Sequence, residues 1–191
     1  MLPHADMKKG FTLIELMVSV AIFSIVMVIA LGALLSISAA DRKAETLASV
    51  MNNLNFALES MTRNIRTGYD YHCGTSTGGD CASGGTYLKF TAQDGTTAVS
   101  YAYDTSATCG QTGTSGCIVR SINGGSNAVI TAPEVVITSL TFYLRGSDLG
   151  STGDNTQPNV VIALTGYVQV TPTTKSQFTL QTSITQRLYD R

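Results

Sequence analysis

Tryptophan is absent from the 191 residues, histidine occurs only twice, and charged side chains make up 13% of the chain. Twelve basic residues stand against 13 acidic ones with no long basic run, so the charge pattern carries no nucleic-acid footprint. His4 falls near the start and His72 stands alone beside Cys73. A thiol–imidazole pair is one reading of His72, but an exposed loop histidine beside a disulfide accounts for it more simply. Gly-x-Ser-x-Gly, HExxH and phosphate-loop patterns are all missing, which argues against the common hydrolase, metalloprotease and nucleotide-binding classes. Asp148 and Asp154 lie in a Gly-rich stretch where calcium would need oxygen ligands. Two carboxylates there read as solvated turn formers. No enzyme, cofactor or metal is expected.

What the chain does have is one long apolar run. From Leu13 to Ala40 the single charged residue is Glu15. A membrane-spanning helix needs about 20 residues, whereas the apolar core of a secretory signal is roughly 7–15, so this run is read as an anchor. Lys8 and Lys9 precede it, and the positive-inside tendency then puts the N-terminus in the cytoplasm and the remainder outside. The low-charge composition beyond suits an exported β-rich domain.

The helical pattern continues past Asp41. Ala44, Leu47, Met51, Leu54, Leu58, Met61 and Ile65 recur at spacings of three and four, one stripe of an amphipathic helix. No proline interrupts Phe11 to Thr67, which predicts one rod roughly 85 Å long at 1.5 Å per residue. Gly68 is expected to close it as a left-handed C-terminal residue. Gly32 either softens the helix through poor propensity or lets helices approach closely.

After Gly68 the period switches to two. "TYLKFT" and "TAVSYAYD" read as strands around a turn at Asp94-Gly95, and "CIVRSI" and "NAVIT" flank a turn at Asn123-Gly124-Gly125. "VVITSLTFYLR" places Val136, Leu140, Phe142 and Leu144 on one face. "NVVIALTGYVQV" does the same with Val160, Ile162, Leu164, Val168 and Val170, and "SQFTLQTSITQRL" with Phe178, Leu180, Ile184 and Leu188. Such alternation predicts antiparallel strands with one buried face, covered by the helix stripe. The expected fold is α+β: a long N-terminal helix packed on an antiparallel sheet. The segment "GSDLGSTGDNTQP" is expected to be an exposed, mobile loop.

Cys73 and Cys81 are separated by seven residues, as are Cys109 and Cys117. Of three possible pairings, the local ones, Cys73–Cys81 and Cys109–Cys117, are favoured because each staples a Gly/Ser/Thr-rich loop. A closed loop of that size contributes about 2–3 kcal/mol in the chain-entropy model. Zinc normally takes cysteines two to four residues apart, a spacing not found here.

"KKGFTLIELMVSVAIF", Lys8 to Phe23, closely resembles the prepilin signature of type IV pilins and type II secretion pseudopilins: a basic leader, Gly, then Phe-Thr-Leu-Ile-Glu opening an apolar helix. The likeness spans about 30 residues. It implies a leader (1–10) removed by prepilin peptidase between Gly10 and Phe11, and N-methylation of Phe11. Residues 11–40 would be a transmembrane and assembly helix, 41–68 its amphipathic half, and 69–191 an external β domain. Glu15 would then pair with the terminal amine of a neighbouring pilin or pseudopilin subunit, since an unpaired charge among packed apolar helices is expensive. The implied partners are the peptidase, other subunits, an inner-membrane assembly platform and the membrane itself, with no direct nucleic-acid contact expected. The C-terminal half is similar in general pattern to minor pilins and larger minor pseudopilins, the PilW-like and J-type groups. Two functions remain open: a subunit that initiates or caps a filament, and a tip binding module whose stapled loops contact a surface, a secreted substrate or DNA.

Overall fold

The computed structural model describes residues 10–74, 79–106, 109, 116–147, 156–171 and 174–187. By internal packing the chain divides into two units, Met1–Glu45 and Thr46–Arg191. A single α-helix among the described residues, α1 (Leu13–Thr67), contributes to both. Throughout the described part of the first unit every residue is exposed within the chain.

In the second unit the helix buries Val50, Leu54, Ala57, Met61 and Ile65. The stripe is turned slightly from the expected one. Leu47, Met51 and Leu58 are half-buried and Ala44 is exposed. Leu54, Met61 and Ile65 belong to both candidate rows, so apolar spacing alone did not distinguish a flanking row from the seam.

The exit from α1 corrects a second expectation. Gly68 is not left-handed; the positive φ falls two residues on, at Asp70 (57°). What Gly68 supplies is room, because a Cβ there would lie 2.4 Å from Cδ2 of Phe90 and 3.1 Å from the Thr91 carbonyl oxygen. The Tyr71 hydroxyl donates to the Ile65 carbonyl at 2.6 Å and the Gly68 carbonyl at 2.7 Å. A strand side chain thus adds a donor at the helix end, where the Ile65 carbonyl also accepts from the Gly68 N–H at 3.2 Å.

Among the described residues nine strands follow: β1 (Tyr69–Cys73), β2 (Cys81–Gly85), β3 (Tyr87–Thr91), β4 (Ala98–Asp104), β5 (Cys117–Ile122), β6 (Ala128–Val129), β7 (Val135–Arg145), β8 (Asn159–Thr171) and β9 (Thr174–Thr185). They form two antiparallel sheets rather than the one expected, ordered β1-β3-β4-β5-β6 and β2-β7-β8-β9. The turns at Asp94-Gly95 and Asn123-Gly124 fall where the sequence put them. Asp94 Oδ1 accepts from the Thr96 and Thr97 N–H groups at 3.1 and 2.9 Å, and Gly95 takes a φ of 79°, an Asx turn closed by a residue free to be left-handed.

Strand β7 departs from simple alternation. Ile137 pairs with Gly166 and Ser139 with Thr165, so one extra residue sits between them. This bulge exchanges the two faces along the strand. Val135 and Ile137 therefore join Leu140, Phe142 and Leu144 in the main core, while Val136, expected with them, is buried outside that cluster. Val160, Ile162, Leu164, Val168 and Ile184 take the core positions expected of them, with Phe178 and Leu180 partly buried against it. Side chains at Val170 and Leu188 lie outside the described residues.

The core gathers Leu54, Met61 and Ile65 of α1, Leu88, Phe90, Tyr101 and Ile118 of the first sheet, and Phe142, Leu144 and Ile162 of the second. Phe90 lies between Tyr71 and Tyr101, with ring centroids 5.9 and 6.1 Å away. Each fully buried large side chain contributes about 1.5–3 kcal/mol.

Candidate functional site

The N-terminal segment opens with Gly10 and Phe11, both exposed, Phe11 at 86%. Thr12 caps the helix: its Oγ1 accepts from the Glu15 N–H at 3.3 Å and its carbonyl from the Leu16 N–H at 3.2 Å. Thr12 and Glu15 are thus N-cap and third helical residue, the Thr-x-x-Glu spacing of a capping box. That signal was present in the sequence and was passed over. It gives Glu15 a local reason to sit in the first turn, where the helix dipole favours negative charge.

Eighteen large apolar side chains from Phe11 to Ile37 are exposed, at 46–86%. They cover the helix on all sides, and a helix apolar all round belongs in lipid or in a protein interior. Within this stretch two serine hydroxyls find partners on the helix itself. Ser19 Oγ donates to the Glu15 carbonyl at 2.7 Å and Ser24 Oγ to that of Val20 at 2.8 Å, as apolar surroundings require. Glu15 is the one carboxylate among these side chains, roughly 6 Å along the axis from Phe11. By length and composition α1 is able to cross a membrane. Asp6, Lys8 and Lys9, expected in the leader, lie outside the described part of the chain.

The cysteines pair locally, Cys73 with Cys81 and Cys109 with Cys117, with Cα separations of 5.7 and 5.6 Å. Their structural setting differs from a simple loop staple. Cys73 ends β1 in one sheet and Cys81 opens β2 in the other, so the first bridge ties the two sheets together. Both of its sulphurs lie against the Phe142 carbonyl, at 3.6 and 3.4 Å. The second packs with Val119 and Ala102 as a small separate cluster. Residues 75–78 and 110–115, within the stapled spans, lie outside the described residues.

His72 is a strand residue, not a loop residue, half-buried in β1 with Nε2 3.3 Å from Asp70 Oδ1. Cys73 beside it is held in a disulfide, which leaves no thiol for that imidazole to activate. No cluster of three His, Cys, Asp or Glu able to hold a metal occurs among the described residues. Asp148 and Asp154 fall outside them, as does most of the segment expected to be a mobile loop.

Asp80 closes the link between the stapled span and β7. Its Oδ2 accepts from the Gly146 N–H at 3.0 Å and its Oδ1 from the Ser147 N–H at 2.8 Å. Partial burial works against ionisation, but the Ser147 hydroxyl, these N–H groups and the nearby Arg145 charge outweigh it and hold the carboxyl below its ordinary value.

Residues 6–31 match the family of the prokaryotic N-terminal methylation motif. No curated protein and no solved structure matches the chain significantly. The chain carries the prepilin signal of type IV pilins and pseudopilins, on a long N-terminal helix followed by antiparallel sheets, a pilin-like α+β architecture. The motif is that of pilin- and pseudopilin-like proteins; it implies prepilin peptidase processing and assembly with other pilin subunits, and the apolar helix behind it is long enough to serve as a single-pass anchor. The family of this motif is structural rather than enzymatic.

Proposed function

We propose that this chain is a minor subunit of a type IV pilus or a type II secretion pseudopilus, acting in filament initiation or at the tip. In this reading prepilin peptidase cuts between Gly10 and Phe11 on the cytoplasmic face and methylates the new amine of Phe11. The anchor (11–40) then waits in the inner membrane, with the C-terminal domain on the outer side, until the assembly platform extracts it. Both disulfides fit that compartment, since such bonds persist outside the reducing cytosol.

The observation that carries the proposal is the single carboxylate, Glu15, in the first turn of an apolar helix exposed on every side. At the membrane interface its charge stays solvated near the headgroups. Among packed helices its charge costs several kcal/mol unless paired, and the positive amine of a neighbouring subunit is the partner that assembly supplies. Glu15→Val is expected to leave cleavage intact yet sharply reduce recovery of the subunit in sheared filaments. Unchanged incorporation of a cleaved Glu15→Val chain contradicts the pairing role.

A further inference from the structure

Arg120 stands on the helix-facing side of β5, directly across from Tyr101 on β4 and Ala128 on β6. It forms the wall between two adjoining cavities along the flank of α1, of about 240 and 190 Å³. The larger is lined by Phe56, Ala57, Ser60, Tyr101, Arg120 and Ile130. Strand β6 is only two residues long and both are exposed, so the first sheet ends before it can cover this groove.

The polar side chains here are a guanidinium, an amide and hydroxyls. Asn64 Nδ2 donates to the Tyr101 hydroxyl oxygen at 3.0 Å, which leaves the hydroxyl proton to be given elsewhere. Tyr101 is 1% exposed, and its burial pushes the phenol up from its ordinary range, so the proton is retained. Ser60 adds a second hydroxyl. Arg120 forms no ion pair among the described residues, and its Nε is buried with no hydrogen-bond partner there. An orphaned buried N–H of a charged group costs more than 1 kcal/mol and calls for a reason. Among the described residues no acidic side chain lines either cavity. The guanidinium also bonds the Tyr101 hydroxyl. Its Nε–H stays unmet and no described carboxylate neutralises it, so the group it calls for is an anion, and a guanidinium fits a carboxylate best.

The apolar side of the groove identifies the carrier of that carboxylate. Phe56 is 75% exposed, a large aromatic on the solvent side of an otherwise well-seated helix, and Ile122 at the groove's far end is also exposed. Each cavity is smaller than the ~300–1,000 Å³ of a small-molecule pocket, which suits individual side chains. We propose that this groove is a docking site for a segment of a partner polypeptide that places an Asp or Glu side chain on Arg120, Tyr101 and Ser60 and an adjacent apolar side chain against Phe56 and Ile130. The site lies wholly in the Thr46–Arg191 unit, so it stands or falls separately from the assembly role of Glu15.

The test is a nitrogen-resolved NMR titration of the full chain in detergent micelles, following the Arg120 Nε–H signal. The probes are the blocked dipeptide of Phe and Glu, its Phe-Gln counterpart, and acetate. The Phe-Glu probe is expected to move the signal saturably, with the Phe-Gln probe at least about tenfold weaker, the loss of a charge-assisted hydrogen bond, and acetate weaker than Phe-Glu for want of the aromatic contact. Phe56→Ala is expected to weaken Phe-Glu binding several-fold without changing the acetate response. Equal responses to Phe-Glu and Phe-Gln, no saturable shift with either, or acetate binding as well as Phe-Glu would each overturn the proposal.

Discussion

Replacing Tyr71 by Phe removes one oxygen atom and nothing else, which makes it a clean probe of how the helix is locked to the sheets. The side chain is 3% exposed, and its hydroxyl shares one proton between the Ile65 and Gly68 carbonyls at the end of α1. Phe keeps the ring and its tilted contact with Phe90, so no cavity term of the large-to-small kind arises. What remains is the lost hydrogen bond and the incomplete satisfaction of buried carbonyls, about 1–2 kcal/mol. For a unit of this size each kcal/mol shifts the midpoint of melting by about 2–4 °C, giving a drop of roughly 2–8 °C. The assay is urea unfolding of the full chain in detergent, followed by near-ultraviolet circular dichroism, where the tyrosines report without interference from tryptophan. The expected result is a lower midpoint at unchanged slope, the mark of altered stability alone. A loss below about 0.3 kcal/mol, within the usual scatter of independent effects, would refute the idea that this hydroxyl caps the helix.

Other outcomes follow from the same geometry. Gly68→Ala is expected to lose about 1–3 kcal/mol, as overpacking does, because Phe90 is held between two tyrosine rings and cannot yield to a Cβ 2.4 Å from its ring; a stabilised Gly68→Ala chain would show that helix propensity wins there. Asp80 has a folded-state pKa below its ordinary 3.8. Its contribution is therefore full above that value and lost as pH falls through the folded pKa. Melting from pH 5 down to about pH 2 should show Asp80→Asn less stable than the parent at pH 5 and the gap closing with acid; a gap independent of pH contradicts this. Gly10→Glu is expected to leave the precursor uncleaved, seen as a slower band on a gel, and normal processing would count against the cleavage site.

The long helix and the later strands were legible because their apolar periods are strong and uninterrupted. Alternation failed at β7, where one extra residue at the bulge moved Val136 out of the main core and brought Val135 and Ile137 in. Periodicity cannot signal such an insertion, since Thr138 is as ordinary in a strand as its neighbours. The two-sheet arrangement was hidden for a similar reason. Strand β2, "CASGG", has no alternating pattern and reads as loop, yet it pairs with β7 and takes Cys81 into the second sheet. At the N-terminus, Gly10, Phe11 and Glu15 stood out as a motif. The local role of Thr12 is masked, because its Thr-x-x-Glu capping spacing lies inside the Gly-Phe-Thr-Leu-Ile-Glu motif. Arg120 is invisible in sequence: one arginine within "CIVRSI" gains meaning only when β4, β6 and α1 are laid around it.

Mass spectrometry of the N-terminal peptide from the membrane-purified native chain tests the central claim most directly. The account predicts a polypeptide that begins at Phe11 with a methylated amine. An unmodified chain still carrying Gly10 and the residues before it, recovered from the soluble fraction, would contradict it.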